Sequence, residues 1–351
     1  MDENFIISKI SFEAGQKKLY HNNGRKGRFK IKKRLILLIL AVFLASGIAY
    51  GISFNRIIYP VKIKDAAGDL IKQEQPPSRI ISIDPAITEI LFAFNLKDKI
   101  VGVTRNCDYP PDAKDIQSVG DNRVNVRKVI ELKPDLILAN LEGQKDDITK
   151  LRQIMVIPAT GETKPAPVNV FTVDPHSLRD IYNTISVIGT ITNKEHAAYS
   201  LLQRMKRRVD WVEAKGKKER RLKAIAVTSR RPLTAAGDGT FLHDLLRIAG
   251  FYDISPKGKG IYPKMKREEI AIADPDIIVT SKDIARNPKD IYNSRDFRKT
   301  SAGRNKRAVS LDTEVFSRPG PRVVDALEEM ASFAYGWSVS PESGSEQEEG
   351  N

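Results

Sequence analysis

Arg79–Ala139, RIISIDPAITEILFAFNLKDKIVGVTRNCDYPPDAKDIQSVGDNRVNVRKVIELKPDLILA, alternates short β-like apolar runs with amphipathic runs at helical spacing. Its end has an echo far downstream. Lys128–Leu138 (KVIELKPDLIL) matches Glu269–Val279 (EIAIADPDIIV), with Pro134 over Pro275 and Asp135 over Asp276. A helix end, a Pro-Asp turn and a buried strand therefore occur twice. Two similar lobes are the simplest source of such a repeat, and two lobes leave a cleft between them.

Working outward, strands are expected at Ile80–Ile83, Ile100–Val103, Asp135–Ala139 and Val168–Val173, separated by helical runs. Thr88 is placed to cap the first helix, and Val124–Leu132 is a second. Strands alternating with helices predict a parallel α/β lobe over residues 79–176. A helical region follows at 177–221, in which Ala198, Leu201, Met205, Val209 and Val212 recur at three- and four-residue steps. A helix from Lys194 to about Lys215 would span roughly 33 Å, enough to link two lobes. The second lobe, 222–336, carries strands at Lys223–Thr228, Asp276–Thr280 and Ala308–Leu311, and helices at Phe241–Ala249 and Val323–Phe333. The fold class is thus α/β: two Rossmann-like lobes with parallel sheets joined by a long backbone helix. Residues 337–351 read as a disordered acidic tail.

The 351 residues carry a net charge of +14, which would suit nucleic acid if it formed a patch. Half of it sits in the first tenth of the chain. Residues 1–34 hold ten Lys/Arg against three Asp/Glu, a balance of +7. The rest is spread along the chain without a basic block interleaved with aromatics, so no nucleic acid is expected. The N-terminal charge has another use. Leu35–Phe54 is twenty residues without a charge, preceded by Lys30, Lys32, Lys33 and Arg34. At helical rise it would cross a bilayer's hydrocarbon core of roughly 30 Å. The positive-inside rule then places residues 1–34 in the cytoplasm as a basic tail, and everything after Phe54 outside. Small residues around Ala45–Ala49 permit a signal cleavage, but the run is longer than a signal core, which favours an uncleaved anchor. Residues 55–78 read as a linker. The single Cys107 permits no intrachain disulfide.

Several motifs then occur in a telling order: Pro85-Ala86-Ile87-Thr88-Glu89, Asp108-Tyr109-Pro110-Pro111, Leu132-Lys133-Pro134-Asp135, Gly239-Thr240-Phe241-Leu242, Asp274-Pro275-Asp276 and Ser317-Arg318-Pro319-Gly320-Pro321-Arg322. In this order the chain, from about Arg79 to Phe333, resembles the helical-backbone (class III) periplasmic binding proteins that serve ABC importers of cobalamin, ferric siderophores and haem. The resemblance implies an extracytoplasmic receptor that holds a large metal chelate between its lobes and hands it to a permease and its ATPase; with the apolar run at 35–54 it is expected to be membrane-anchored, and it is expected to be a monomer. The resemblance also implies one exposed docking carboxylate on each lobe, at the matching positions Glu89 and Glu268.

Loops leaving the carboxyl ends of the strands should line the cleft. They offer Tyr109, Tyr262 and Phe316 as flat apolar surfaces and Arg105, Arg123, Arg230, Arg231 and Arg318 as donors to anions. Asp108-Tyr109-Pro110-Pro111 and Glu314 point to cobalamin through the resemblance, whereas the arginines suit an acidic ferric siderophore. The expected cargo class is a corrinoid or ferric chelate, with a haem receptor or an anchored ligand sensor as alternatives. No cofactor is expected. No nucleophile–base pair, phosphate-binding glycine loop or metal-ligand spacing stands out, and His21, His176, His196 and His243 are scattered, so neither an enzyme nor a protein-held metal is expected.

Overall fold

The computed structural model describes residues 58–121, 123–159 and 164–338. The basic tail at 1–34, the apolar run at 35–54 and the acidic stretch from 339 lie outside them. Among the described residues no helix is long and apolar enough to cross a membrane.

The expected linker is partly structured. Strands β1 (Val61–Lys64) and β2 (Leu70–Gln73) form an antiparallel hairpin. Its turn is held by Asp65, whose buried carboxylate pairs with Arg152 and accepts from the Thr172 hydroxyl at 2.6 Å and the Thr172 N–H at 3.2 Å. A buried carboxylate satisfied in this way fastens the segment to the body, which hydrophobicity alone does not forecast.

Strands β3 (Ile80–Ser82), β4 (Ile100–Thr104), β5 (Ser118–Gly120) and β6 (Leu136–Asn140) follow. The short β7 (Met155–Val156) and β8 (Ala166–Pro167) pair with each other, and β9 (Asn169–Val173) completes the first half. The first sheet has the order β5-β4-β3-β6-β9, with every pairing parallel. The second sheet comprises β10 (Lys223–Arg230), β11 (Leu233–Ala235), β12 (Tyr252–Asp253), β13 (Ile277–Ser281) and β14 (Ala308–Leu311). Its order is β11-β10-β13-β14, with β12 also parallel to β10 and only β11 antiparallel. Central strands such as Ile277–Ser281 are buried at every residue, because helices cover both faces of a parallel sheet.

The first helix, Pro85–Ala93, is capped one turn earlier than Thr88. Asp84 accepts from the Ile87 N–H at 3.0 Å and Pro85 takes the first helical position. Proline there fixes the start, so the residue before it becomes the cap. Thr88 is buried inside the helix and donates to Ser82 Oγ at 2.8 Å.

The linking helix is Glu195–Gly216, with Ala198, Leu201, Met205, Val209 and Val212 buried along one stripe. A single apolar cluster runs from Ile80 and Leu136 through Ile185, Leu201 and Val212 to Ala224, Val279 and Leu327. The two sheets thus share one core along this helix. Arg208 lies in the stripe at 4% exposure and is neutralised by the last helix, Val323–Tyr335. Its Nε reaches Glu328 at 2.9 Å and its Nη2 reaches Glu328 at 2.8 Å and Asp325 at 2.6 Å.

The sequence echo has a structural cause. The helices Val126–Glu131 and Arg267–Ala273 each end before a left-handed residue, Lys133 at φ 48° and Asp274 at φ 45°. Proline then stops the helix, and the next aspartate ties two strands together at their entry. Asp135 N–H donates to Arg79 O at 3.0 Å and its carboxylate accepts from the Ser78 N–H at 2.7 Å and the Arg79 N–H at 3.0 Å. Asp276 repeats this on Lys223, donating at 2.8 Å and accepting at 2.9 Å. Replacing Asp135 with Ala removes the carboxylate from two backbone donors, and hydrogen bonds to a charged group are worth about 1.5–3 kcal/mol. Urea denaturation should show Asp135→Ala losing more stability than Asp276→Ala, which strips a single donor; equal stability with wild type in both would contradict this role.

Candidate functional site

The carboxyl ends of the two sheets face a shared cavity of about 530 Å³. From the first half come Asp84 and Pro85 after β3, Asn106 after β4, Asn140 and Glu142 at the end of β6, and His176 after β9. From the second come Thr240 and Phe241, Tyr262, and Ser317 to Pro319. In the first sheet β3 is the strand at which the order reverses, which is where an open α/β sheet places a ligand. Asp84 combines two roles there, as helix cap and cavity wall. Desolvation raises its carboxyl above the ordinary range, against hydrogen bonds from Ile87 and Asn140 and the charge of Arg318.

One side of the cleft is closed by a network of charges that crosses it. Arg322 Nη2 lies 2.6 Å from Glu89 Oε1 and Nε lies 3.0 Å from Oε2, a bidentate pair between the halves. Arg318 Nη1 lies 2.8 Å from Asp108 Oδ1 and Nη2 lies 3.0 Å from Asn106 O. Glu314 joins both arginines, at 3.2 Å to Arg318 and 3.3 Å to Arg322. Gly320 lets this loop approach: a Cβ there would stand 3.1 Å from Ala86 Cβ, on the first helix. Desolvation of Asp108 works upward, but the hydrogen bond and charge of Arg318 win and hold it below the usual carboxylate range. For Glu89 burial wins: its carboxyl is raised despite the charges of Arg322 and Arg318.

Two of the eight expected ligand residues, Tyr262 and Arg318, line the cavity. Phe316 does not; at 4% exposure it belongs to the core. Tyr109 has one ring face under the Arg322 guanidinium, 3.7 Å away, and is 40% exposed. Glu314 serves the two arginines. Arg230 and Arg231 are exposed at the turn between β10 and β11, and Arg123 pairs with Asp146. None of these six lines the cavity.

The docking expectation changes likewise. Glu89 is 5% exposed and neutralised within the molecule, so it is not a surface carboxylate. Glu268 is exposed in the first turn of Arg267–Ala273. The position that echoes it in the first half is Arg127, exposed and paired with Glu131.

Sequence reasoning placed the Asp84–Ile87 loop on the cleft, where Asp84, Pro85 and Ala86 do line the cavity, but missed Arg322 as the partner of Glu89, and the exits of β6 and β9. Those last two were findable. Both strands were legible, and the rule that places cleft loops at strand carboxyl ends applies equally to Asn140–Glu142 and Asp174–His176. There Glu142, Asp174 and His176 each bring one ligand atom within 4.8 Å of the others, a grouping that the scattered histidines of the sequence did not suggest.

The model of the family described as periplasmic binding protein matches residues 80–315, and the chain belongs to that family. It is 31% identical over 283 residues to YvrC of Bacillus subtilis, an uncharacterised ABC transporter substrate-binding lipoprotein, covering 79% of this chain and 86% of the relative. It is 25% identical over 270 residues to a vitamin B12-binding protein of Vibrio cholerae, covering 75% and 91%. The structure of a possible iron-binding periplasmic solute-binding protein of Staphylococcus epidermidis superposes with a TM-score of 0.64 at 28% identity, covering 74% of this chain and all of the other.

Because Glu89 is buried with its charge, removing its partner should be costly. Arg322→Ala is expected to destabilise the chain by about 3–5 kcal/mol, as for other broken buried pairs. The double substitution Glu89→Gln with Arg322→Met should recover part of that loss in chemical denaturation. A single variant as stable as wild type would show that the pair does not hold the halves together.

Proposed function

We propose that this periplasmic binding protein is the extracytoplasmic receptor of an ABC importer and carries a large metal chelate, a corrinoid or a ferric siderophore, to the permease. The observation that carries this reading is the cavity itself: it lies between the strand ends of two parallel sheets and takes walls from both. The vitamin B12-binding relative and the possible iron-binding solute-binding protein support the cargo class. The family is one of solute-binding proteins, so binding and release, with no chemical turnover, are the activity.

The closed charge network shapes how cargo is held. Arg318 is committed to Asp108 and Asn106 on the opposite half, so it orients the cleft and only its cavity-facing surface meets cargo. Tyr262 offers an aromatic face from within the cavity lining. A haem cargo is the second reading: Tyr262 and His176 both line the cavity, from different halves, and these are side-chain types that hold haem iron. The basic tail and the uncharged run at 35–54 support an anchor that keeps the receptor at the membrane, beside its permease and ATPase. Glu268, exposed on its helix, is the carboxylate we assign to permease docking, where rim charge orients the encounter.

Tryptophan fluorescence of the purified chain titrated with cobalamin, haem and ferric siderophores should saturate with one class, and Tyr262→Ala should weaken that binding about tenfold or more. Silence across the panel would remove the cargo assignment. Glu268→Arg should depress cellular uptake of the same ligand while leaving its affinity unchanged; an equal loss of affinity would count against docking.

A further inference from the structure

At the cavity rim, β6 and β9 run side by side and parallel, with Asn140 beside Val173 and Leu141 N–H bonded to Val173 O at 2.8 Å. Their exits therefore bring Glu142 next to Asp174 and His176. His176 Nε2 stands 3.3 Å from Asp174 Oδ2 and Nδ1 stands 4.0 Å from Glu142 Oε2. A neutral imidazole has one N–H to give, so one of its nitrogens would turn a lone pair toward a carboxylate. The set as arranged wants a positive charge. A separate observation points the same way: although the Asp174 side chain is 30% exposed, its Oδ1 is itself buried and accepts no hydrogen bond among the described residues. A buried oxyanion atom without a donor is costly unless something occupies it.

The scaffold around the set is fixed. Ser177, next to His176, caps the Leu178–Ile191 helix in a box with Asp180, its Oγ accepting from the Asp180 N–H at 3.1 Å. On the other exit, Asn140 Oδ1 accepts from the Glu142 N–H at 3.1 Å, and Gln144 spans from the Asn140 N–H to Ile83 O. Ligands held on pinned strand exits are preorganised, which a metal site requires.

We propose that Glu142, Asp174 and His176 form a site for a divalent first-row transition cation at the rim of the cleft. One imidazole nitrogen with two carboxylates is a mixed donor set that suits such ions better than calcium or magnesium, which take oxygen. Three protein ligands leave further positions open. Glu142 and His176 line the cavity, so those positions face the space where cargo sits. Tyr262 stands on the other wall; burial raises its phenol, and so does the charge of Glu142, which puts the two side chains within electrostatic reach. The cation would neutralise the acidic rim and offer its open positions to oxygen donors entering the cleft. The site does not depend on whether the cargo is a corrinoid or a ferric chelate; a haem held through His176 would compete with the cation for that nitrogen.

The test uses tag-free full-length chain, stripped with chelator and free of cargo, titrated with Co²⁺ in the visible and Zn²⁺ by calorimetry. One equivalent should bind, with cobalt d–d bands. Asp174→Asn and His176→Gln should each weaken Zn²⁺ binding at least tenfold while leaving the metal-free melting temperature within a few degrees of wild type. Absence of saturable binding at one equivalent, or affinity unchanged in both variants, would overturn the site. Tighter binding of Ca²⁺ or Mg²⁺ than of Zn²⁺ would overturn the choice of cation. Because no chelate is present, failure here leaves the transport reading untouched, and failure of the chelate titrations leaves the cation site untouched.

Discussion

Glu89 is a buried carboxylate that the first half of the protein does not neutralise. Its charge is met by Arg322, from the second half, through two hydrogen bonds. Removing Arg322 strips both hydrogen bonds from a carboxylate that is 5% exposed and leaves it only Arg318, 3.7 Å away, so the halves are held in a defined relation. Arg318 extends the constraint to Asp108 and Asn106, and Glu314 keeps the two arginines in place. Behind this network the linking helix carries a continuous apolar core and its own buried pair, Arg208 with Glu328. A cleft braced at one side by ion pairs and along its back by a packed helix opens within limits, which suits a receptor whose cavity is largely formed before cargo arrives.

The fold was legible because its signals are local. Apolar runs at Leu136–Ala139 and Ile277–Thr280, buried on both faces, can be read without tertiary information, and so can the stripe on the Glu195–Gly216 helix. The repeated Pro-Asp turn marked two similar halves because the same carboxylate-to-backbone tie enters both sheets. What failed locally was the first helix cap, where Pro85 outranked the threonine signal, and the hairpin at Val61–Gln73, whose attachment depends on an arginine and a threonine about a hundred positions away.

The site was less legible for a physical reason. Residue type says that an arginine on a cleft loop can bind an anion, but not that a carboxylate from the other half already does so. Arg318 and Tyr109 were located on the right loops, yet the first is committed across the cleft and the second is stacked beneath Arg322. Glu89 looked like a surface charge because it sits near a helix start, and only the fold reveals the loop bearing Gly320 packed over it. Beside Tyr262, Arg318 and the Asp84 loop, cavity walls also come from the strand exits at Asn140 and His176, positions set by topology more than by residue type.

The central claim is that the cavity between the two sheets holds a metal chelate. Its most direct test is co-elution: the purified chain, stripped of ligand, is mixed in turn with cyanocobalamin, haemin and a ferric hydroxamate and passed through gel filtration with absorbance read at 280 nm and in the visible. One coloured ligand should travel with the protein at a one-to-one ratio and be shed by the Tyr262→Ala variant. A chain that emerges colourless from all three would contradict the claim.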